Sequence, residues 1–170
     1  LRFGRKNTSK DKKSKDTGLD DEFVFKDIII KDNGEIMATA EENYVRVSTS
    51  TDSRGNTSTT YHYTSNSIVV INIAVDGEVE NVVIIPKKQT FQTPIYGYHA
   101  TLKTPDQVYF LYNDDNDNFR KNITDPDKYK KVSRIKHCIA VLTYINEDGS
   151  LTKKQLFNKK EADSVFCLLK

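Results

Sequence analysis

From Phe23 onward, apolar residues recur in short runs of high β-propensity, and most of these runs close at a glycine-bearing turn. The run "FVFKDIII" (Phe23 to Ile30) ends at Asp32-Asn33-Gly34, and "EIMATA" follows at once. "IVVINI" (Ile68 to Ile73) meets Asp76-Gly77 and returns as "EVENVVII", while "CIAVLTYI" (Cys138 to Ile145) meets Asp148-Gly149 and returns as "SLTKKQLF". A further pair, "YHATLK" and "QVYFLY", is joined through Thr104-Pro105-Asp106, where proline presets φ for a turn. The Asn-Gly dipeptide predicts a tight two-residue type I′ hairpin. Together these runs predict an all-β chain of antiparallel hairpins and meanders with little helix.

The turn glycines Gly34, Gly77 and Gly149 are 43 and 72 residues apart, with the proline turn between the last two. A repeat of roughly 40 to 50 residues holding about four strands is the signature of a propeller blade. Residues 21–170 therefore predict a β-rich, propeller-like domain or fragment of about three blades, an incomplete ring. An open β-sandwich is the runner-up architecture.

The stretch "VSTSTDSRGNTSTTYHY" (Val47 to Tyr63) alternates regularly, yet holds nothing between Ser48 and Thr60 that builds a core. A tip at Arg54-Gly55 pairs Val47 with His62, Arg46 with Tyr63 and Ser50 with Thr59. In that register Tyr44, Arg46, Tyr61 and Tyr63 share one face, where a guanidinium can lie over a tyrosine ring. An isolated two-stranded ribbon is marginal in water. The segment is expected to protrude as a β-arm and to lean on its own sheet or on a partner, with Arg46, Tyr61 and Tyr63 as candidate binding residues.

Residues 1–20 depart from this grammar, with basic residues in excess and few apolar side chains, and predict a flexible basic segment. The chain opens with Leu1-Arg2-Phe3-Gly4 in place of a start methionine and signal sequence, which predicts a cut, processed or engineered N-terminus. Lys and Arg number 26 against 24 Asp and Glu, so net charge gives no reason to expect nucleic acid. No apolar run approaches the roughly 20 residues that span a bilayer as a helix. Cys138 and Cys167 form neither a CxxC pair nor a metal-spaced cluster, and are read as buried thiols, with a single disulfide as the other option.

The segments "VFKDIIIKDNGEIMATAEENYV", "SNSIVVINIAVDGEVENVVIIPKKQ" and "YGYHATLKTPDQVYFLYNDDNDN" resemble the later part of an uncharacterised family of exported bacterial envelope proteins with β-propeller-like repeats. The resemblance covers about residues 20 to 160. It implies export to the cell envelope (periplasmic, outer-membrane-associated or secreted) and a longer parent chain. The family has no assigned reaction, so no catalytic residue carries over.

The candidate chemistry is correspondingly thin. "NDDNDN" (Asn113 to Asn118) offers many oxygens but lacks the glycine and distal glutamate of a calcium-binding EF-hand, and is read as an Asx-rich turn. His62, His99 and His137 fall in separate strands without ligand spacing, so no metal and no cofactor is expected. No GxSxG elbow, P-loop or GxGxxG occurs. "YGYH" supplies Tyr96, Tyr98 and His99 as a compact aromatic and imidazole cluster, read as strand packing or as a sugar-stacking platform. Asn7, Asn56 and Asn122 open N-x-Ser/Thr triplets, which chance supplies in so hydroxyl-rich a chain. The expected role is a non-catalytic interaction or scaffold module bound to a protein partner or to the missing part of its parent chain. A glycan-binding or glycan-processing domain is the alternative.

Overall fold

The computed structural model describes residues 22–157 except 105–106, 136–137 and 147, and of Pro126 the backbone alone. The basic segment, the Pro105-Asp106 turn, His137 and Cys167 lie outside the described residues.

Eight strands build two four-stranded antiparallel sheets, each a simple meander. The first contains β1 (Phe23–Ile30), β2 (Ile36–Thr51), β3 (Thr57–Ile73) and β4 (Val79–Phe91), in that spatial order. The second contains β5 (Ala100–Lys103), β6 (Val108–Asp115), β7 (Cys138–Ile145) and β8 (Leu151–Phe157), also in order. A 3₁₀ turn at Pro94–Tyr96 links the sheets, and one short helix, α1 (Asn116–Arg120), follows β6.

The all-β, hairpin-built expectation holds, but the described residues form two sheets where about three blades were expected, and no closed ring. The difference lies in strand length. At 16 and 17 residues, β2 and β3 serve one sheet and then run on as a ribbon, so chain that would furnish another sheet is spent on an arm.

The turns also differ from the tight type I′ form. Gly34 N–H donates to the Lys31 carbonyl and Lys31 N–H to the Glu35 carbonyl, enclosing a three-residue loop with glycine at φ +88°. The same pair of bonds recurs at Gly55, Gly77 and Gly149. This is a type I turn followed by a left-handed glycine bulge. A type I′ turn would need positive φ at Asn33 as well, and Asn122 is the one non-glycine with positive φ among the described residues. The residue before each glycine explains the preference. Asn33 and Asp76 each accept through a side-chain oxygen from the backbone N–H two residues on, at 3.1 Å, and Asp148 does so at 2.9 Å. At the arm tip Arg54 cannot accept, and Asp52 instead takes N–H bonds from Arg54 and Asn56 at 2.9 Å each.

The main core lies between the sheets, and Phe91, Val132 and Cys138 form a second, smaller cluster. In the main core Met37, Ile68, Val70 and Ile85 from the first sheet meet Val108, Phe110, Tyr112, Ile139 and Val141 from the second sheet. The alternation that sends Met37, Thr39 and Glu41 inward sends Ala38 and Ala40 outward. Three successive cross-strand rows on that outer face, from Phe25–Ala40–Val69–Ile84 to Ile30–Ile36–Ile73–Val79, carry only Phe, Ala, Val and Ile. The outer face of the first sheet is therefore apolar there while its inner face mixes apolar residues with a buried polar centre, which explains why Ile28–Ile30 and Ile68–Ile71 read as continuous hydrophobic runs.

The first strands of the two sheets are pinned edge to edge. Thr101 Oγ1 donates to Asp27 Oδ2 at 2.8 Å, Lys103 Nζ donates to the Ile30 carbonyl at 3.0 Å, and Lys26 Nζ lies 5.5 Å from the centre of the Tyr98 ring.

Candidate functional site

The arm comprises the parts of β2 and β3 that outrun their neighbours. β1 pairs with β2 only as far as Glu42, and β4 pairs with β3 only as far as Tyr63. Beyond those points, pairs from Tyr44↔Thr64 outward to Thr51↔Thr57 form a ribbon that narrows to two strands. Hydroxyls cross-link its tip: Ser50 Oγ lies 3.4 Å from Ser58 Oγ, and Thr51 Oγ1 lies 3.2 Å from Thr57 Oγ1. Cross-strand contacts of this kind contribute about 0.2 to 1 kcal/mol each.

The register differs by one residue from the expectation. Arg46 pairs with His62, Val47 with Tyr61 and Ser50 with Ser58. A two-residue tip would centre the hairpin between Arg54 and Gly55, whereas the three-residue bulged loop centres it on Arg54. A one-residue slip exchanges faces. Tyr61 and Tyr63, their ring centroids 6.5 Å apart, therefore share a face with Val45 and Val47. Arg46 lies on the opposite face, 5.2 Å from the centre of the Tyr44 ring, beside His62, whose Nε2 is 3.1 Å from Ser48 Oγ. The structure thus separates Arg46 from Tyr61 and Tyr63. The strip formed by Val45, Val47 and Tyr61 is open to solvent, with Val47 58% exposed and Tyr61 50% exposed, while Tyr63 is half-buried at the base.

The "YGYH" residues also diverge. Tyr96 packs edge-on against Phe91 with centroids 5.8 Å apart, while Tyr98 stands at the surface near Lys26. His99 turns inward, its Nδ1–H donating to Glu41 Oε1 at 3.0 Å and its ring 6.0 Å from Phe110. These aromatics form no common stacking platform.

Sequence reasoning missed the two buried polar centres. At the first, Lys87 Nζ reaches Glu41 Oε1 at 2.5 Å, Ser65 Oγ and the Gly97 carbonyl at 2.6 Å each, and Gln89 Oε1 at 3.1 Å. Asn43 Nδ2 and Lys26 Nζ close on the other Glu41 oxygen at 3.0 and 3.5 Å. Burial acts to raise the Glu41 pKa, but the Lys87 ammonium and the His99 hydrogen bond overcome it and hold the carboxyl below the usual carboxylate range. Burial drives Lys87 the other way, below the ordinary lysine value, against the pull of Glu41. Ser65 and Lys87 have the spacing of a nucleophile and a base, but the serine is sealed in the core and the ammonium is already held by Glu41. The signal in the sequence is faint. Glu41 is one polar residue at an inward position of "IMATAEE", and Lys87 is one of two adjacent lysines.

The second centre absorbs the Asx-rich stretch. Asp114 is buried and accepts from Tyr129 Oη, from Asn118 Nδ2 at 2.9 Å and from the Asp115 N–H at 2.8 Å. Lys153 Nζ donates to Tyr129 Oη at 2.8 Å. Burial raises the Asp114 pKa above the ordinary aspartate value, against these donors. Asp115 instead caps α1, accepting from the Asp117 N–H at 2.8 Å, and Asp117 pairs with Lys130 at the surface. The three carboxylates point to three separate tasks. Among the described residues, no group of three or more His, Cys, Asp or Glu is arranged to hold a metal ion. Cys138 is buried, its thiol donating to the Arg134 carbonyl at 3.3 Å.

Between the sheets, at the end where the turns of both meanders gather, lies an open cleft of about 510 Å³ walled by Asn72, Asn81, Gln107 and Lys103 over Met37 and Val108. Among the described residues, no aromatic side chain lines it. Among the described residues, no helix is long and apolar enough to cross a membrane. Comparison with protein-family models, with curated proteins and with solved structures finds no match for this chain.

Proposed function

We propose that this chain is a non-catalytic interaction module of an exported bacterial envelope protein, built from two consecutive propeller-like blades, and that its β2–β3 arm holds a protein partner. One observation carries the proposal: the ribbon continues past its supporting strands and turns Val45, Val47 and Tyr61 to solvent on a single face. A two-stranded ribbon is marginal in water, and an exposed apolar strip on it favours a partner surface. The blade-like arrangement draws support from the connection, which leaves the last strand of one sheet and enters the first strand of the next. It draws further support from the pins that hold β1 to β5. The non-catalytic role is supported by the buried titratable groups, which are occupied in hydrogen-bonded networks inside the core.

The experiment is site-specific photocrosslinking in the native cells. A photoreactive residue in place of Val47 is expected to give a discrete protein adduct that the same residue in place of Val75, on an exposed turn, does not give. Identical adduct patterns from the two positions would remove the arm as the binding element.

A further inference from the structure

We propose that Lys153 is a nucleophilic amine that captures a small aldehyde as an imine, with Tyr129 and Asp114 relaying its proton. The proposal does not depend on the arm, and it describes one capture per chain, without turnover.

Lys153 lies on β8, the last strand of the second sheet, opposite Thr143 on β7. That register turns it to the inner face, since Thr143 pairs in turn with the core residue Phe110. There it is half-buried against Tyr129 from the β6–β7 connection, its Nζ 4.8 Å from the centre of the ring and 2.8 Å from Oη. Tyr129 Oη donates in turn to Asp114 Oδ2. Two consecutive hydrogen bonds therefore run from the amine to a buried carboxylate, which is the arrangement of a nucleophile, a proton acceptor and a third group that orients the acceptor. Lys87, the other lysine drawn into the core, is sealed from water and pairs directly with Glu41. Lys153 keeps part of its surface in solvent and meets Asp114 only across Tyr129.

Burial disfavours the charge at both ends, lowering the Lys153 pKa and raising that of Asp114. Moving one proton from Nζ to Oη, and the Tyr129 proton on to Asp114, removes both charges at once. Burial also raises the Tyr129 pKa, so the phenol passes the proton through and does not keep the negative charge. Tyr112, its hydroxyl 3.1 Å from Thr143 Oγ1, is a further titratable group against Tyr129, and burial keeps it protonated as well. The face of the Tyr129 ring favours the ammonium and so holds Nζ in place until its proton leaves.

The relay serves both halves of imine formation. With its proton on Asp114, the Lys153 amine adds to the aldehyde carbon, and a proton shifts from nitrogen to the former carbonyl oxygen. Asp114 then returns its proton through Tyr129 to that hydroxyl, the C–O bond breaks and water leaves. The product is a protonated imine whose charge again faces the Asp114 carboxylate. Ammonium and aldehyde thus become iminium and water, with no oxidant or reductant. An acyl donor would use only the first half, whereas the acid held beside Nζ is what loss of water requires.

The purified chain is treated with limiting acetaldehyde at about pH 7, well below the ordinary lysine value. Sodium cyanoborohydride then converts any imine into a stable ethylamine for peptide mass spectrometry. Lys153 is expected to be ethylated ahead of Lys154, which lies over Tyr144 on the opposite face of β8, and ahead of the exposed Lys121 and Lys128. Tyr129→Phe keeps the ring and cuts the relay, and Asp114→Asn removes its far end. Each is expected to bring Lys153 down to the rate of Lys154, with circular dichroism and a melting curve showing that the variant is folded. A wild-type chain in which Lys153 is ethylated no faster than Lys154 overturns the proposal, and that result needs no variant. So does a preference that persists in either folded variant, because Lys153 would then react through exposure alone.

Discussion

Lys87 Nζ lies 2.5 Å from Glu41 Oε1, and both side chains are sealed from water between the two sheets. The pair brings β2 and β4 of the first sheet onto the Gly97–His99 segment that leads into the second. Removing one partner leaves an uncompensated buried charge, at a cost of about 3 to 5 kcal/mol. Lys87→Met and Glu41→Leu are each expected to cost that much in urea unfolding. Because desolvation offsets most of the attraction between the two, the double variant should be well short of the sum of the single losses. Additive losses would mean that the two charges are held by separate partners.

Asp114 gives a dependence on pH. Burial places its folded-state pKa above the ordinary value, so the folded chain holds that proton more tightly than the unfolded one. From about pH 4, the ordinary aspartate value, up to the raised value, stability should fall as pH rises, and the loss is complete above it. Asp114→Asn removes this term. The stability of the variant minus that of the wild type should be flat below about pH 4 and climb above it. Glu41, held low, loses its stabilising ionisation only on the acid side, does so in both proteins, and cancels in the difference. A difference that stays level up to neutral pH would show that the carboxylate is not penalised by its site.

Gly97 is constrained by space and not by its backbone angle, since φ is −95°. A Cβ there would lie 3.3 Å from the Cβ of Ser65, the residue whose hydroxyl accepts from Lys87. Gly97→Ala is expected to cost about 1 to 3 kcal/mol, the usual range for overpacking. Combined with Lys87→Met it should cost less than the sum, because the strained contact then presses on a centre already broken. Thermal unfolding of the four proteins in the cycle reads this directly.

Much of the fold was legible because alternation and turn glycines are local signals. Phe23–Ile30, Ile68–Ile73 and Cys138–Ile145 fall in strands that turn where the sequence places Gly34, Gly77 and Gly149. The number of sheets was not legible, because nothing in the residues between Ala40 and Ile68 says where β1 and β4 stop accompanying β2 and β3. Nor was the arm register, where a choice between loops of two and three residues changes little in the sequence and exchanges the faces of Arg46 and Tyr61. The buried centres were invisible for a different reason. Glu41 and Lys87 are 46 positions apart in the sequence, and only the sheet pairing brings them together.

The register decides how the arm should be shortened. The Asp52 N–H donates to the Asn56 carbonyl, and antiparallel pairs alternate, so Ser48↔Thr60 is a hydrogen-bonded pair and Thr49↔Thr59 is not. A two-residue type I′ turn closes on a hydrogen-bonded pair, so replacing Thr49 through Thr59 with Asn-Gly should preserve every pair below Ser48. The deleted pairs face solvent and contribute tenths of a kcal/mol each, and the shorter loop returns some closure entropy, so the change is expected to cost less than about 1 kcal/mol. Tyr63→Ala should cost more, about 2 kcal/mol, since the half-buried ring packs at the base where β4 ends, opposite Phe91. Urea unfolding of both variants tests the contrast. Should the shortened chain lose as much as Tyr63→Ala, the hydroxyl ribbon contributes to the stability of the sheet itself, and an arm kept for a partner is no longer the explanation for it.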